Sequence, residues 1–179
     1  NRASGGGPAR FSVPAPEFGR ELDQLRGLGL DGRPLREVLA GADAAVAITF
    51  DDCDLGQYEH GFRALRERGM TATFFAVTDW IGRPGYCTWD QLREMKAGGM
   101  DIQSHSKSHP FLSEQSAEAL DRELRGSKAA LDKELDQDTD TIALPVNQSR
   151  VPVSYRTVAF NVPRSQVARF PSSSMVSMN

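Results

Sequence analysis

Four short apolar runs separated by helical stretches constrain the fold of this chain more than any other feature. The runs cover residues 45–50, 71–77, 100–104 and 141–144 and are rich in branched or aromatic residues. Each is typical of a short buried strand. The stretches between them, about 10 to 20 residues long, repeat apolar residues at helical spacing. This alternation predicts parallel βαβ units, arranged either as a barrel or as an open sheet.

Local signals indicate where two of the helices begin. Residues 88–91 (Thr-Trp-Asp-Gln) fit a capping box, with Thr88 as the N-cap of a helix that stops at Gly98. Ser113 is expected to cap a longer helix, and the apolar side of that helix carries Leu120, Leu124, Leu131 and Leu135. Beyond the fourth run the pattern is lost, although residues 158–162 favour one more strand.

Length, charge and cysteine content limit the class of protein. The chain has 179 residues, which suits one ordinary domain. Its 21 Lys and Arg against 24 Asp and Glu leave a net charge of -3, which gives no electrostatic reason to expect a nucleic acid partner. No apolar run approaches the roughly 18 residues of a transmembrane segment, so none is expected. Cys53 and Cys87 lack the spacing of a metal or redox motif, which favours two free thiols.

Acidic and histidine side chains follow two of the predicted strands. Asp51 and Asp52 end the first run, and His105 and His109 follow the third, four residues apart. The carboxyl ends of parallel strands open onto one rim, so these side chains are expected to meet there. One Asp with two His suits Zn²⁺ and leaves a coordination position open. The other Asp, pointing differently along an extended segment, is then a candidate general base.

Each of these motifs has a structural explanation when taken alone. An Asp-Asp pair after a strand is often a turn or a helix cap. The pair of histidines at HxxxH spacing is a modest motif in a chain with three histidines. The third, His60, falls on the predicted helix after the first strand and is interpreted as a surface residue. The combination of the two motifs, each after its own buried strand, favours the metal site.

Four ordered segments resemble the polysaccharide deacetylases of the NodB-homology type, carbohydrate esterase family 4. Residues 49–52 (Thr-Phe-Asp-Asp) resemble the first motif of that family, and residues 104–110 (Ser-His-Ser-Lys-Ser-His-Pro) resemble its second motif. Residues 68–75 are similar to the family segment G-x-x-A-T-F-F. Residues 123–131 are similar to its E-x-x-x-S-K-x-x-L helix. The resemblance implies an α/β fold, a distorted and incomplete (β/α) barrel with parallel strands.

The resemblance also implies roles for individual residues. Asp51 would be the catalytic base, whereas Asp52, His105 and His109 would bind a divalent metal, zinc or alternatively cobalt. Pro145 and Val146 would lie beside the oxyanion of the substrate. The expected reaction is hydrolysis of N- or O-linked acetyl groups on a carbohydrate polymer such as chitin oligosaccharide, peptidoglycan or exopolysaccharide. A secreted or cell-envelope location is favoured by the resemblance alone.

The chain departs from the family pattern in two places. Cys53 stands where the family has glycine, which leaves three interpretations: a strained loop, a thiolate that competes for the metal, or a loop that tolerates a small side chain. No Asp, Glu, Trp or His follows Asp140, so the Asp-Trp motif and the Leu-x-His motif, with its histidine general acid, are missing. We expect a flexible segment at 1–10, a partial deacetylase domain at 11–145 and an atypical segment at 146–179. That last segment is either foreign to the family or a divergent C-terminus.

Two further expectations concern function and substrate. Because of the missing motifs, activity is expected to be impaired, and the alternatives are an inactive carbohydrate-binding module on the same scaffold or a hydrolase of a small linear amide. Trp80, Tyr86 and Trp89 have side chains that suit stacking on sugar rings. Trp89 is expected to pack in the core instead, because it starts a predicted helix, and for Trp80 both interpretations stay open.

Overall fold

A seven-strand sheet organises the protein. The computed structural model describes residues 13–145 and the backbone of residues 157–159 and 176–178. The strands run in the order β1-β2-β3-β4-β5-β6, and β7 pairs with β2. Their bounds are β1 Asp31–Arg33, β2 Ala45–Asp52, β3 Thr73–Ala76, β4 Asp101–Ser104, β5 Thr141–Ala143, β6 Thr157–Ala159 and β7 Val176–Met178.

The described residues contain five α-helices, one before β1 and four between the successive strands β1 to β5. Their bounds are α1 Ala15–Gly27, α2 Leu35–Leu39, α3 Arg63–Glu67, α4 Trp89–Ala97 and α5 Ala117–Leu135. A π-helical segment, Gln57–Phe62, runs directly into α3. The predicted capping box at the start of α4 is confirmed, since the Thr88 side chain accepts from the Gln91 backbone and the Gln91 side chain accepts from the Thr88 N–H. No helix among the described residues has the length and apolarity needed to cross a membrane.

Strands β1 to β5 pair with one another in the parallel sense, as predicted. Their register brings Phe50, Phe74 and Ile102 side by side across β2, β3 and β4. This parallel sheet of five strands is not closed within the described residues, which agrees with an incomplete, distorted barrel. The strand predicted at 158–162 is observed at 157–159, where it pairs with β5 in the antiparallel sense.

The main hydrophobic core lies between one face of the sheet and the long helices. The Phe50 and Phe74 rings stack there at 4.4 Å. Residues from α1, α3, α4 and α5 cover them, among them Phe18, Leu22, Leu65, Leu92, Met95, Leu131 and Leu135. A smaller cluster on the other face contains Leu35, Ala47, Phe75 and Ala143. Burying both faces explains why the strands read as continuous apolar runs. The core fixes the strand ends that carry the functional side chains.

The structure corrects two details predicted from sequence. Helix α5 is capped by Ser116 and not by Ser113, because Ser116 has extended backbone dihedrals and its hydroxyl accepts from the Ala119 N–H at 3.2 Å. Ser113 lies in a 3₁₀ turn just before it. Strand β1 was absent from the prediction because it is polar. At Gly32 an added Cβ would lie 2.8 Å from Ile48 Cδ1 and 3.1 Å from Met70 Cβ, so glycine suits this close approach.

Candidate metal centre

Asp52, His105 and His109 meet at the carboxyl end of the parallel strands. Asp52 is the last residue of β2, and His105 directly follows β4. Asp52 Oδ1 lies 3.6 Å from Nε2 of His105 and 3.6 Å from Nε2 of His109. The three candidate ligand atoms all lie within 4.8 Å of one another. The structure thus brings together the three side chains that the sequence predicts as ligands.

The ring of His105 is fixed by a backbone carbonyl on the neighbouring strand. Its Nδ1 lies 3.0 Å from the carbonyl oxygen of Ala143, which ends β5. Because a carbonyl oxygen only accepts, Nδ1 carries the proton and Nε2 presents its lone pair toward Asp52. Burial lowers the pKa of His105 to about 4, although the charge of Asp52 opposes this shift. His105 is therefore neutral at pH 7, the form that ligates a metal.

Serine hydroxyls shape the loop that carries His109. Ser104 Oγ accepts from the Ser106 N–H at 3.1 Å, and Ser106 Oγ accepts from the His109 N–H at 3.0 Å. Ser104 Oγ also donates to Ser127 Oγ of α5 at 2.8 Å. These side-chain to backbone bonds replace the strand ladder after β4 and turn the chain back toward Asp52.

Glu123 of α5 holds the same loop from outside. Its Oε2 accepts from the backbone N–H groups of Lys107 at 2.9 Å and Ser108 at 2.8 Å, and its Oε1 accepts from Ser108 Oγ at 2.6 Å. On the other side, Lys107 Nζ lies 2.7 Å from Asp79 Oδ1. The metal loop is therefore attached both to α5 and to the segment that follows β3.

Three site residues have left-handed backbone conformations, with φ of 74° at Asp52, 56° at Cys53 and 63° at His109. Non-glycine residues rarely adopt these values, and such strain concentrates at functional sites. Cys53 thus takes the conformation for which glycine is best suited. Burial raises the pKa of its thiol well above the usual range, which disfavours a thiolate, and its φ of 56° supports the strained-loop interpretation. Both cysteines are free, as predicted.

Asp51 lies beside the three clustered residues. Its backbone carbonyl accepts from Gln57 Nε2 at 2.5 Å, and it pairs in register with Phe75 of β3. Burial raises the pKa of Asp52, the two histidines oppose this shift, and the charge of Asp51 adds to the rise. The two carboxylates are therefore close enough to interact, as a ligand and an adjacent base need to be. The assignment of Asp51 as that base stays a prediction.

The residues present fit a divalent metal ion. Within the described part of the chain, Asp52 Oδ1 is buried and has no hydrogen-bond partner. At 3.6 Å each, the two Nε2 atoms are too far away to supply a good hydrogen bond. Zinc–ligand bonds of 2.0–2.2 Å place two tetrahedral ligands about 3.4 Å apart, close to these separations. A carboxylate with two neutral imidazoles is also a common zinc donor set.

The other residues that the sequence analysis singled out lie in different parts of the structure. Pro145 is buried and lies two residues beyond Ala143, whereas Val146 lies outside the described residues. His60 is exposed on the π-helix, in agreement with its interpretation as a surface residue. Trp89 packs against the main core, as expected. Trp80 does not, and its ring centroid lies 5.0 Å from that of His109.

Sequence reasoning assigned no role to two groups that support the site. The Ala143 carbonyl leaves no signal in a side-chain pattern, because any residue supplies it. Glu123 was visible only as part of a helical motif. Its spacing of four from Ser127 places both on one face of α5, which is the signal that associates this face with the loop after β4.

Comparisons with known proteins give a consistent result. A family model described as polysaccharide deacetylase matches residues 40–161, about two thirds of the chain. YxkH of Bacillus subtilis (strain 168), named as a candidate polysaccharide deacetylase, is 32% identical over 107 residues. That match covers 60% of this chain but only 38% of YxkH, so the chain spans well under half of this relative.

Solved structures extend the similarity to the fold. The Streptococcus pyogenes deacetylase PplD, in complex with acetate, is 29% identical with a TM-score of 0.72, covering 77% of this chain and 65% of PplD. IcaB from Ammonifex degensii is 27% identical with a TM-score of 0.68, covering 78% of this chain and 69% of IcaB.

Proposed function

This chain belongs to the polysaccharide deacetylase family, and on that premise we propose that it is a metal-dependent hydrolase of acetyl groups on a carbohydrate polymer. Hydrolysis of acetyl groups is the chemistry of the family. The metal dependence rests on one observation above all, the buried Asp52 Oδ1 held 3.6 Å from two imidazole nitrogens without a hydrogen bond of its own in the described residues.

We propose zinc as the metal, with cobalt as the alternative, bound by Asp52, His105 and His109. When bound, such an ion supplies Lewis acidity at the acetyl carbonyl and to a water beside it. Asp52 contributes negative charge, and His105 is kept neutral and oriented by the Ala143 carbonyl. These residues hold the site in a ready geometry, so little reorganisation accompanies the reaction.

Asp51 acts as the general base in this proposal. It takes a proton from the water that attacks the acetyl carbon, so the new C–O bond forms as the carbonyl π electrons move onto oxygen to give an oxyanion. When the oxyanion collapses, the acyl C–N or C–O bond to the sugar breaks. The proton then passes to the leaving nitrogen or oxygen. The Val146 N–H, following Pro145, is the proposed donor to the oxyanion, since proline has no N–H of its own.

Turnover is expected to be slow. The sequence has no histidine beyond His109 to act as the general acid of the family. Losing such a group costs about 10²–10⁴-fold in rate. The same absence favours a second candidate function, a carbohydrate-binding module that retains the deacetylase scaffold without catalysis. Action in a secreted or cell-envelope setting is part of the first proposal.

An acetate-release assay separates these functions. The zinc-loaded protein is incubated with chitin oligosaccharide, peptidoglycan, acetylated xylan and a small linear amide, beside the variant Asp51→Asn. Acetate from an acetylated polymer, lost in the variant, supports the deacetylase. Binding of an oligosaccharide without acetate release supports the binding module, and turnover of only the small amide contradicts both.

A further inference from the structure

Four aromatic rings form a row that leads out of the metal centre. The centroid of His105 lies 4.9 Å from that of His109, His109 lies 5.0 Å from Trp80, and Trp80 lies 5.0 Å from Tyr86. His105 is buried, whereas His109, Trp80 and Tyr86 are half-buried. The row therefore runs from the inside of the site toward solvent.

The two outer rings have no place in either apolar cluster of the described residues. The main core takes Tyr58, Ile81 and Trp89 as its partly buried neighbours, and the smaller cluster takes only Val38. Trp80 instead packs on Tyr86, with an angle of 46° between the two ring planes, and on His109. Large aromatic side chains left beside a site and outside the core are typical of ligand contacts.

The segment that holds these rings is fixed before any ligand binds. Tyr86 forms an antiparallel bridge with Asp54. On either side of it, the Leu55 N–H donates to the Gly85 carbonyl at 2.9 Å and the Cys87 N–H donates to the Cys53 carbonyl at 3.0 Å. A surface fixed in this way loses little conformational entropy on binding.

Next to Trp80, the loop is also attached to the metal loop. The Asp79 N–H donates to the Lys107 carbonyl at 2.9 Å, and the two side chains form an ion pair at 2.7 Å. The Thr78 N–H donates to the Ser106 carbonyl at 3.3 Å. Trp80 is therefore held at a constant position relative to His109, as a ligand that touches both requires.

We propose that Trp80, supported by Tyr86, is the binding surface for the pyranose ring that carries the acetyl group. A pyranose has an apolar C–H face that packs on an indole, while its hydroxyls stay at the edge in water. The acetyl substituent is short. When its carbonyl reaches the metal centre formed by Asp52, His105 and His109, the sugar that carries it lies beside Trp80, the ring next to His109. This inference rests on the proposed function and narrows the substrate to an acetylated sugar over a small linear amide.

Calorimetric titration of zinc-loaded protein with a chitin tetrasaccharide tests the site. Trp80→Ala is expected to weaken binding about tenfold, and Trp80→Phe to recover most of that loss, since it keeps an aromatic face. Trp89→Phe is the matched control and is expected to bind like wild type. Wild-type affinity in Trp80→Ala overturns the proposal, as does failure of the wild type to bind the tetrasaccharide.

Two parallel measurements complete the test. One distinguishes sugar binding by Trp80 from a structural role, and the other tests the proposed function separately. Zinc affinity is measured in each variant, and the proposal requires the loss of tetrasaccharide affinity to exceed any loss of zinc affinity; equal losses contradict it. Acetate release is measured on the same samples. Trp80-dependent binding without acetate release upholds the sugar site and contradicts the hydrolase. Acetate release with an unchanged KM in Trp80→Ala upholds the hydrolase and contradicts the sugar site.

Discussion

Glu123 holds Ser108 by two hydrogen bonds, accepting from its backbone N–H at 2.8 Å and from its hydroxyl at 2.6 Å. Ser108 directly precedes His109, so this contact links a helix on the outside of the fold to a residue of the metal centre. Partners of this kind, which orient the residues that bind a metal, commonly change its affinity by 10- to 100-fold.

Replacing Glu123 with glutamine is expected to weaken zinc binding about tenfold. The glutamine oxygen can still accept from the N–H groups of Lys107 and Ser108, but the negative charge that strengthens these bonds is lost, and the amide NH2 faces the Ser108 hydroxyl, which donates to Oε1 in the native protein. Calorimetric titration with zinc measures the effect. Asp121→Asn on the same helix is the control, because Asp121 is exposed and forms only a surface ion pair with Arg125. Equal zinc affinities in the two variants would show that Glu123 does not position the site.

His105→Ala and Asp51→Asn are expected to differ in zinc binding, although both are expected to lose acetate release. His105→Ala removes a ligand and is expected to abolish calorimetrically detectable zinc binding. Asp51→Asn keeps the three candidate ligands, so it is expected to bind zinc and to lose acetate release. Zinc binding in His105→Ala with wild-type affinity would remove His105 from the metal centre.

Asp101 provides a pH-dependent prediction away from the metal centre. Its side chain is 5% exposed, and burial raises its pKa despite hydrogen bonds from Gln103 and Thr73 and an ion pair with Arg36. Because the folded state holds this proton more tightly than the unfolded chain, the contribution of Asp101 to stability falls as pH rises from about 4 through the raised pKa.

The variant Asp101→Asn isolates this effect. Asparagine has no titrating carboxyl, so the difference in unfolding free energy, wild type minus variant, is expected to decrease as pH rises from about 4 to 7. Urea denaturation across this range measures it. A difference that is constant with pH, or that increases, contradicts a raised pKa at Asp101.

The sequence was sufficient for those parts of the fold and site that depend on patterns of side chains. The buried strands, the parallel order and the meeting of the aspartate pair with His105 and His109 follow from apolar runs and from where strands end. The choice of Asp52 over Asp51 as the ligand came from the family resemblance alone. Contacts made by the backbone were not predictable in this way. The Ala143 carbonyl and the polar strand β1, which pairs with β2 through its backbone, have no distinctive residue type.

Two other features, the cap of α5 and the state of Cys53, depend on conformation and packing that the sequence pattern does not specify. Ser113 and Ser116 are both good helix caps by composition, and only the backbone conformation at Ser116 selects between them. Cys53 was recognised as unusual, but its burial, which raises the pKa of the thiol, depends on the packing of the whole core. The domain boundaries at 10 and 145 and the roles of Asp51, Pro145 and Val146 stay predictions.

Metal-dependent acetate release tests the account most directly. The protein is stripped with EDTA, divided, and assayed on N-acetylated chitin oligosaccharide with and without added zinc, beside Asp51→Asn. The account predicts slow acetate release that appears only with zinc and is lost in Asp51→Asn. Acetate release that is equal with and without zinc, or none from a wild-type protein shown to bind both zinc and oligosaccharide, would contradict a metal-dependent deacetylase.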